Sequence, residues 1–202
     1  MAEPVPGTTE ILMYFRNHYA FSTIVDIGCG AGLLWPPLKD KAVTAVGLNP
    51  RASLQLPSNV TYHEGDFFLW KRERQFDAVF SSHVIEHIQN TRNFLKAFFE
   101  CIPDGKPWCL IWPPPKKEIV PGHYHVFSLG IMLYNVIRMG IDCRYVDIFR
   151  CKYSLALSGL KKSFVFPEAN DGPSIIDQLS DRFPFKATNA FDGDNPPGVI
   201  KL

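Results

Sequence analysis

The stretch TIVDIGCGAGL, residues 23–33, decides the fold. Ile24, Val25 and Ile27 make a short apolar run rich in β-branched residues, which reads as a buried strand. Gly28, Gly30 and Gly32 follow at alternate positions. So dense a glycine turn lets the backbone take positive φ angles and lets a ligand approach the main chain closely. A helical start is expected at Ala31 to Leu34. Strand, glycine turn and helix N-terminus then form a cradle for a small molecule. The dinucleotide fingerprint spaces its glycines G-x-G-x-x-G. Here they run G-x-G-x-G, with Asp26 two residues before the first. That spacing disfavours a nicotinamide dehydrogenase.

The 202 residues suffice for one domain with some excess, and for a sizeable core. A formal net charge of +1 gives no electrostatic argument for nucleic acid or an acidic surface. Hydrophobic residues, 46% of the chain and well spread, argue against wholesale disorder. No long apolar run and no basic-then-apolar N-terminus is present, so neither a membrane span nor a secretory signal is expected. Cys29, Cys101, Cys109, Cys143 and Cys151 form an odd, scattered set without C-x-x-C pairs. They read as free thiols in a reducing compartment, and a cytoplasmic location is expected.

Outward from the glycine turn, residues 1–7 hold two prolines and a glycine and are expected to be a flexible N-terminal arm. Thr8 or Thr9 caps a helix running to about Tyr19. Trp35, Pro36 and Pro37 should hold the helix after the glycine turn to a single turn. Further strands are expected at Ala42–Leu48, Val60–His63, Phe76–Ser82 and Trp108–Trp112, with a helix over Asn93–Cys101. Ser128 caps a helix over Leu129–Met139. Arg144–Arg150 and Ser154–Leu160 close the sheet as an antiparallel pair. This alternation implies a doubly wound, Rossmann-like α/β sheet. Its ligands bind at the carboxyl ends of the strands, so Gly28, Asn49, Asp66, Ser82 and Pro113 should converge on one crevice.

Two stretches carry a family resemblance. The glycine turn with Asp26 resembles the first motif of class I S-adenosylmethionine-dependent methyltransferases. FDAVFSSHVIEHI, residues 76–88, is similar to the corresponding stretch of the subgroup that includes many small-molecule, lipid and sugar methylating enzymes. Two such motifs in the right order are far more specific than one. The resemblance covers residues 8–162. It implies a seven-stranded, mostly parallel sheet with an antiparallel last strand, and S-adenosylmethionine as cofactor with S-adenosylhomocysteine as product. It sets Gly28, Cys29, Gly30 and Gly32 beside the methionine part of the cofactor, with Asp26 helping to hold its amino group. Asn49 stands where the family usually has an acid on the ribose hydroxyls. Its amide still donates and accepts, but accepts more weakly than a carboxylate. The resemblance also implies Asp66 at the adenine amino group, Phe67 on the base, and Ser82 in the cofactor site at the end of the fourth strand.

Methyl transfer from a sulfonium is an in-line displacement, for which the protein supplies position and, where needed, a base. Histidine suits a hydroxyl acceptor. His83, directly after the fourth strand, is the first candidate, and His123 or His125 on the loop over the same end is the second. His87, one helical turn after His83, reads as packing. The histidines also admit a metal, but no Asp, Glu or Cys completes a recognised spacing, and no metal is expected. Lys116 and Lys117 suit an anionic acceptor. The expected activity is methyl transfer to oxygen or nitrogen of a small polar acceptor, with a sugar-containing molecule or polysaccharide precursor as the leading class. A homodimer is left open. One rival is a catalytically inactive cofactor-binding scaffold, supported by Asn49 and the interrupted helix. The other is a nucleic-acid methyltransferase. It is disfavoured because Ser81-Ser82-His83 replaces an N-P-P-Y-like sequence and no basic stripe is present, so no nucleic-acid partner is expected.

Residues 163–202 form a proline-rich C-terminal extension in which acidic residues outnumber basic ones. A helix is expected at Ser174–Asp181, with Pro173 at its start. Ile175, Leu179, Phe183, Phe185 and Phe191 are too apolar for a linker, so this tail should lie partly on the domain or on a partner subunit.

Overall fold

The computed structural model describes residues 3–48, 56–166, 174–188 and 191–202. Asn49 lies outside the described residues. The strands are β1 (Thr23–Ile27), β2 (Ala42–Gly47), β3 (Val60–Glu64), β4 (Ala78–Ser82), β5 (Pro107–Trp112), β6 (Asp147–Cys151), β7 (Ser154–Leu160) and β8 (Val199–Lys201). The helices are α1 (Thr8–His18), α2 (Thr91–Phe99), α3 (Leu129–Arg138) and α4 (Ser174–Leu179). One sheet takes the order β3-β2-β1-β4-β5-β7-β6-β8. The strands from β3 to β5 run parallel, and β7 lies antiparallel between β5 and β6. The chain steps outward from β1 to β3 and returns to β4 beside β1. That reversal opens a crevice at the carboxyl ends of β1 and β4.

The sheet is buried on both faces because its strands alternate between two cores. In β5, Trp108, Leu110 and Trp112 point to the face covered by α2 and α3. Cys109 and Ile111 point to the face covered by Ile11, Leu12 and Phe15 of α1. The Ser128 hydroxyl accepts from the Ile131 N–H at 3.2 Å and starts α3 where the sequence places it. Among the described residues, no helix is long and apolar enough to cross a membrane.

Three features depart from the sequence reading. The helix expected after the glycine turn is absent. Residues 29–35 form turns, and only a 3₁₀ turn at Pro36–Leu38 follows, because Pro36 and Pro37 lack the N–H groups an α-helix needs there. The flexible arm is packed at its inner end: the carbonyl of Pro6 accepts from the Tyr153 N–H and from the Ser154 hydroxyl. Gly7, at φ 96°, sits so close to the Cys151 carbonyl that a Cβ would clash. The sheet has eight strands rather than seven, because β8 from the extension pairs parallel to β6. The extension lies on the domain as its apolar residues suggest: Ile175, Leu179, Phe183 and Ala187 enter the same core as α2 and α3. The Asp142 carboxylate, buried to 2% side-chain exposure, binds Arg144 and Arg182, which ties the extension down from its polar side.

Candidate active site

The three motif glycines have different neighbours. Gly28, at φ 74°, is pressed against Val84, and a Cβ there would lie under 3.0 Å from its Cγ2. Gly32, also at φ 74°, is covered by the indole of Trp35. Gly30, at φ 53°, has open space where a Cβ would stand. The N–H of Gly28 donates to Val46 O at 2.8 Å, which holds the turn against the end of β2.

Gly28 and Gly30 face a cavity of about 480 Å³ at the carboxyl ends of β1 to β4. Gly47, Asp66, Phe67 and Val84 complete its wall. The Asp66 carboxylate accepts from the Phe68 N–H at 2.9 Å, so the loop after β3 is fixed by its own aspartate. Phe67 packs edge-on against Phe94 of α2.

Asp26, Cys29, Gly32 and Ser82 do not line this cavity. Asp26 is buried beneath the turn, where its Oδ2 accepts from Trp35 Nε1 at 3.0 Å. Burial pushes its carboxyl up to about 7, against the lowering effect of the Trp35 hydrogen bond. Cys29 fills the space over Gly47, and burial pushes its thiol up to about 12, so it packs as an inert group. Trp35, which the sequence suggested only as a helix stop, is thus the residue that joins Asp26 to Gly32.

A second cavity, of about 210 Å³, lies on the far side of the turn 83–88. Val84 and Ile88 face the first cavity, and Glu86 faces the second. Trp112, Pro113, Lys116, His123, His125 and Tyr153 are among its other walls. His123 and His125 therefore line this second cavity and not the one beside the glycine turn. His83 does not line either one. Its backbone is left-handed, at φ 54°, a conformation costing on the order of 1 kcal/mol for a non-glycine residue. Its ring is held behind Glu86, between the Ser154 hydroxyl at 3.3 Å and Glu86 Oε1 at 3.4 Å.

The turn at Ile85–His87 is 3₁₀, so His83 and His87 are not stacked along an α-helix as expected. His87 Nδ1 instead donates to Gly122 O at 2.8 Å, and its ring meets His123 edge-on. His125 Nε2 donates to Gln89 O at 3.0 Å. Glu86 was missed in the sequence. It is 1% exposed, and its Oε2 has no hydrogen-bond partner among the described residues. The glutamate stood in view beside His87 in the second motif, but nothing in its spacing reveals that the carboxylate is buried.

A methyltransferase-domain profile matches residues 9–111, just over half of the chain. Among proteins of curated function, the mitochondrial ubiquinone biosynthesis O-methyltransferase of Rattus norvegicus is 30% identical over a match covering 41% of this chain and 28% of that protein. The chain thus spans less than a third of that relative's length. Among solved structures, the glycopeptide N-methyltransferase MtfA in complex with S-adenosylhomocysteine superposes with a TM-score of 0.61 at 15% identity, covering 80% of this chain and 90% of MtfA. A methyltransferase in complex with the Haloferax volcanii Trm112 methyltransferase activator gives a TM-score of 0.64 at 12% identity, covering 78% and 90%. These superpositions share the fold described above, and the profile covers both motif stretches, residues 23–33 and 76–88. The chain belongs to the methyltransferase domain family.

Proposed function

We propose that this chain moves a methyl group from S-adenosylmethionine to oxygen or nitrogen of a small polar acceptor. The carrying observation is the pair of cavities on opposite sides of the turn 83–88. The first has the size and mixed lining of a small-molecule site. Gly30 leaves its backbone open to a ligand there, and Asp66 and Phe67 sit at the opposite wall, so the residues present fit the cofactor. In this reading Asp66 and Phe67 hold the adenine end. The glycine turn with Asp26 beneath it holds the amino-acid end. The bound cofactor supplies an activated methyl group on a sulfonium.

The second cavity takes the acceptor. Trp112, Pro113 and Tyr153 give it apolar walls that exclude water. Lys116, whose Nζ stands 4.5 Å over the Tyr153 ring, and Lys117 provide positive charge for a phosphate or other anionic group. His125 is the residue we assign as base. Its Nε2–H is engaged by Gln89 O, which leaves Nδ1 as the acceptor of a proton. His83, placed behind Glu86, becomes a positioning residue.

A sugar-containing anionic acceptor is the leading class. The apolar walls also favour a phenolic ring, and the rat relative is by name an O-methyltransferase of ubiquinone biosynthesis. The five free thiols support a reducing, cytoplasmic setting.

Calorimetric titration of S-adenosylmethionine and S-adenosylhomocysteine into the folded protein tests the cofactor site. The expected affinity is roughly micromolar, with loss in Asp26→Ala. A screen of nucleotide sugars and catechols, read as a mass gain of one methyl group, then tests the acceptor. Cofactor binding without any methylated product would favour the scaffold, and absence of binding would overturn the reading.

A further inference from the structure

We infer that Glu86, His87 and His123 form a binding site for a divalent cation of the zinc class. One donor atom from each of the three lies within 4.8 Å of the others. The ligands come from two segments far apart in sequence: the 3₁₀ turn after β4 and the loop between β5 and α3. The loop is tied to the turn by its backbone, because the Tyr124 N–H donates to Glu86 O at 2.8 Å.

The protons decide the matter. Gly122 O can only accept, so His87 Nδ1 carries the hydrogen in their 2.8 Å bond. In the neutral ring, Nε2 then holds a lone pair free for a metal ion, and it lies 4.0 Å from Glu86 Oε1. The same logic fixes His83. The Ser154 hydroxyl gives its own proton to Pro6 O at 2.9 Å, so His83 Nε2 donates to Ser154, and its Nδ1 lies 3.4 Å from Glu86 Oε1. Two imidazole nitrogens thus stand within 4.0 Å of a carboxylate that is almost wholly buried and whose second oxygen has no hydrogen-bond partner among the described residues. A carboxylate so buried calls for positive charge beside it.

The arrangement has the features of a metal centre. A carbonyl that fixes the tautomer of a ligating histidine is the usual outer partner of such a ligand. Two imidazoles and one carboxylate suit Zn²⁺ and leave a fourth position open, here toward the cavity of about 210 Å³. Tetrahedral ligands at about 2.1 Å from zinc stand about 3.4 Å apart, so the present separations close by about 1 Å on binding. The sequence reading expected no metal because it found no carboxylate at a recognised spacing. Glu86 supplies one through the fold.

Co²⁺ is the probe, since its visible absorption reports both binding and geometry. Titrated into the chelator-treated protein, it should bind with 1:1 stoichiometry and develop the bands of a four- or five-coordinate ion. Zn²⁺ should displace it, and millimolar Mg²⁺ should not. Glu86→Gln and His123→Ala should each weaken binding at least tenfold, while His63→Ala should not. His123 is on a loop, so its variant keeps the test open should Glu86→Gln misfold. Absence of Co²⁺ binding by folded protein, unchanged binding in His123→Ala, or displacement by Mg²⁺ would overturn the assignment. The titration needs neither cofactor nor acceptor, so it can fail while methyl transfer stands, and the reverse.

Discussion

Replacing Gly28 and Gly30 separately by alanine should divide the glycine motif into a packing residue and a ligand-facing one. Both glycines have positive φ, 74° and 53°, so each alanine bears a left-handed cost of about 1–2 kcal/mol. At Gly28 the new methyl also collides with Val84 Cγ2 and lies 3.2 Å from Val84 Cβ, which adds an overpacking cost of about 1–3 kcal/mol. At Gly30 it meets nothing within 4 Å. For a chain of this length each kcal/mol lowers Tm by about 2–4 °C. Thermal unfolding followed by circular dichroism should therefore show a loss of about 4–20 °C for Gly28→Ala and only about 2–8 °C for Gly30→Ala. Cofactor affinity should respond in the opposite sense: the Gly30 methyl stands in the cavity and should weaken binding at least tenfold. Adding Val84→Ala to Gly28→Ala should recover the overpacking part, a coupling of about 1–3 kcal/mol in a double-mutant cycle. Equal stability of the two glycine variants, or a cycle with no coupling, would refute this division of roles.

Asp26→Asn should stabilise the cofactor-free protein above pH 7. The native carboxyl is raised to about 7 by burial, so its contribution is full below the unfolded value near 4 and is lost as pH rises to 7. That loss is about 4 kcal/mol over the whole span from pH 4 to 7, and urea unfolding of wild type between pH 5 and 8 should show about 3 kcal/mol of it while the variant stays flat. Affinity for the cationic end of the cofactor should run the other way in wild type, rising as pH passes about 7. Phe183→Ala, at a side chain 3% exposed, should cost about 3–5 kcal/mol and move the single unfolding transition of the whole chain. A Tm within 2 °C of wild type would mean that the extension does not belong to the folding unit. Ser128→Ala removes the cap of α3 and should cost about 1 kcal/mol by the same assay.

The sequence by itself determined the strands, their β-branched and aromatic cores, the cap at Ser128 and the glycine turn. Each of these is a local pattern: alternation, a short polar residue before an apolar period, or glycines where φ must be positive. It also brought Gly28, Gly30, Asp66 and Phe67 to one crevice, because strand ends in a doubly wound sheet converge whatever the loops do. Tertiary structure alone decided the rest. Asp26 has a buried indole as its partner because two prolines abolished the expected helix and turned Trp35 inward over Gly32. His83, the nearest histidine to β4 in sequence, is withdrawn behind Glu86 because its left-handed backbone turns it toward Ser154, which is 71 positions away in the chain. Glu86 was legible only as a letter in a motif. Its burial and the two imidazoles beside it arise from contacts between distant segments, and no local pattern encodes them.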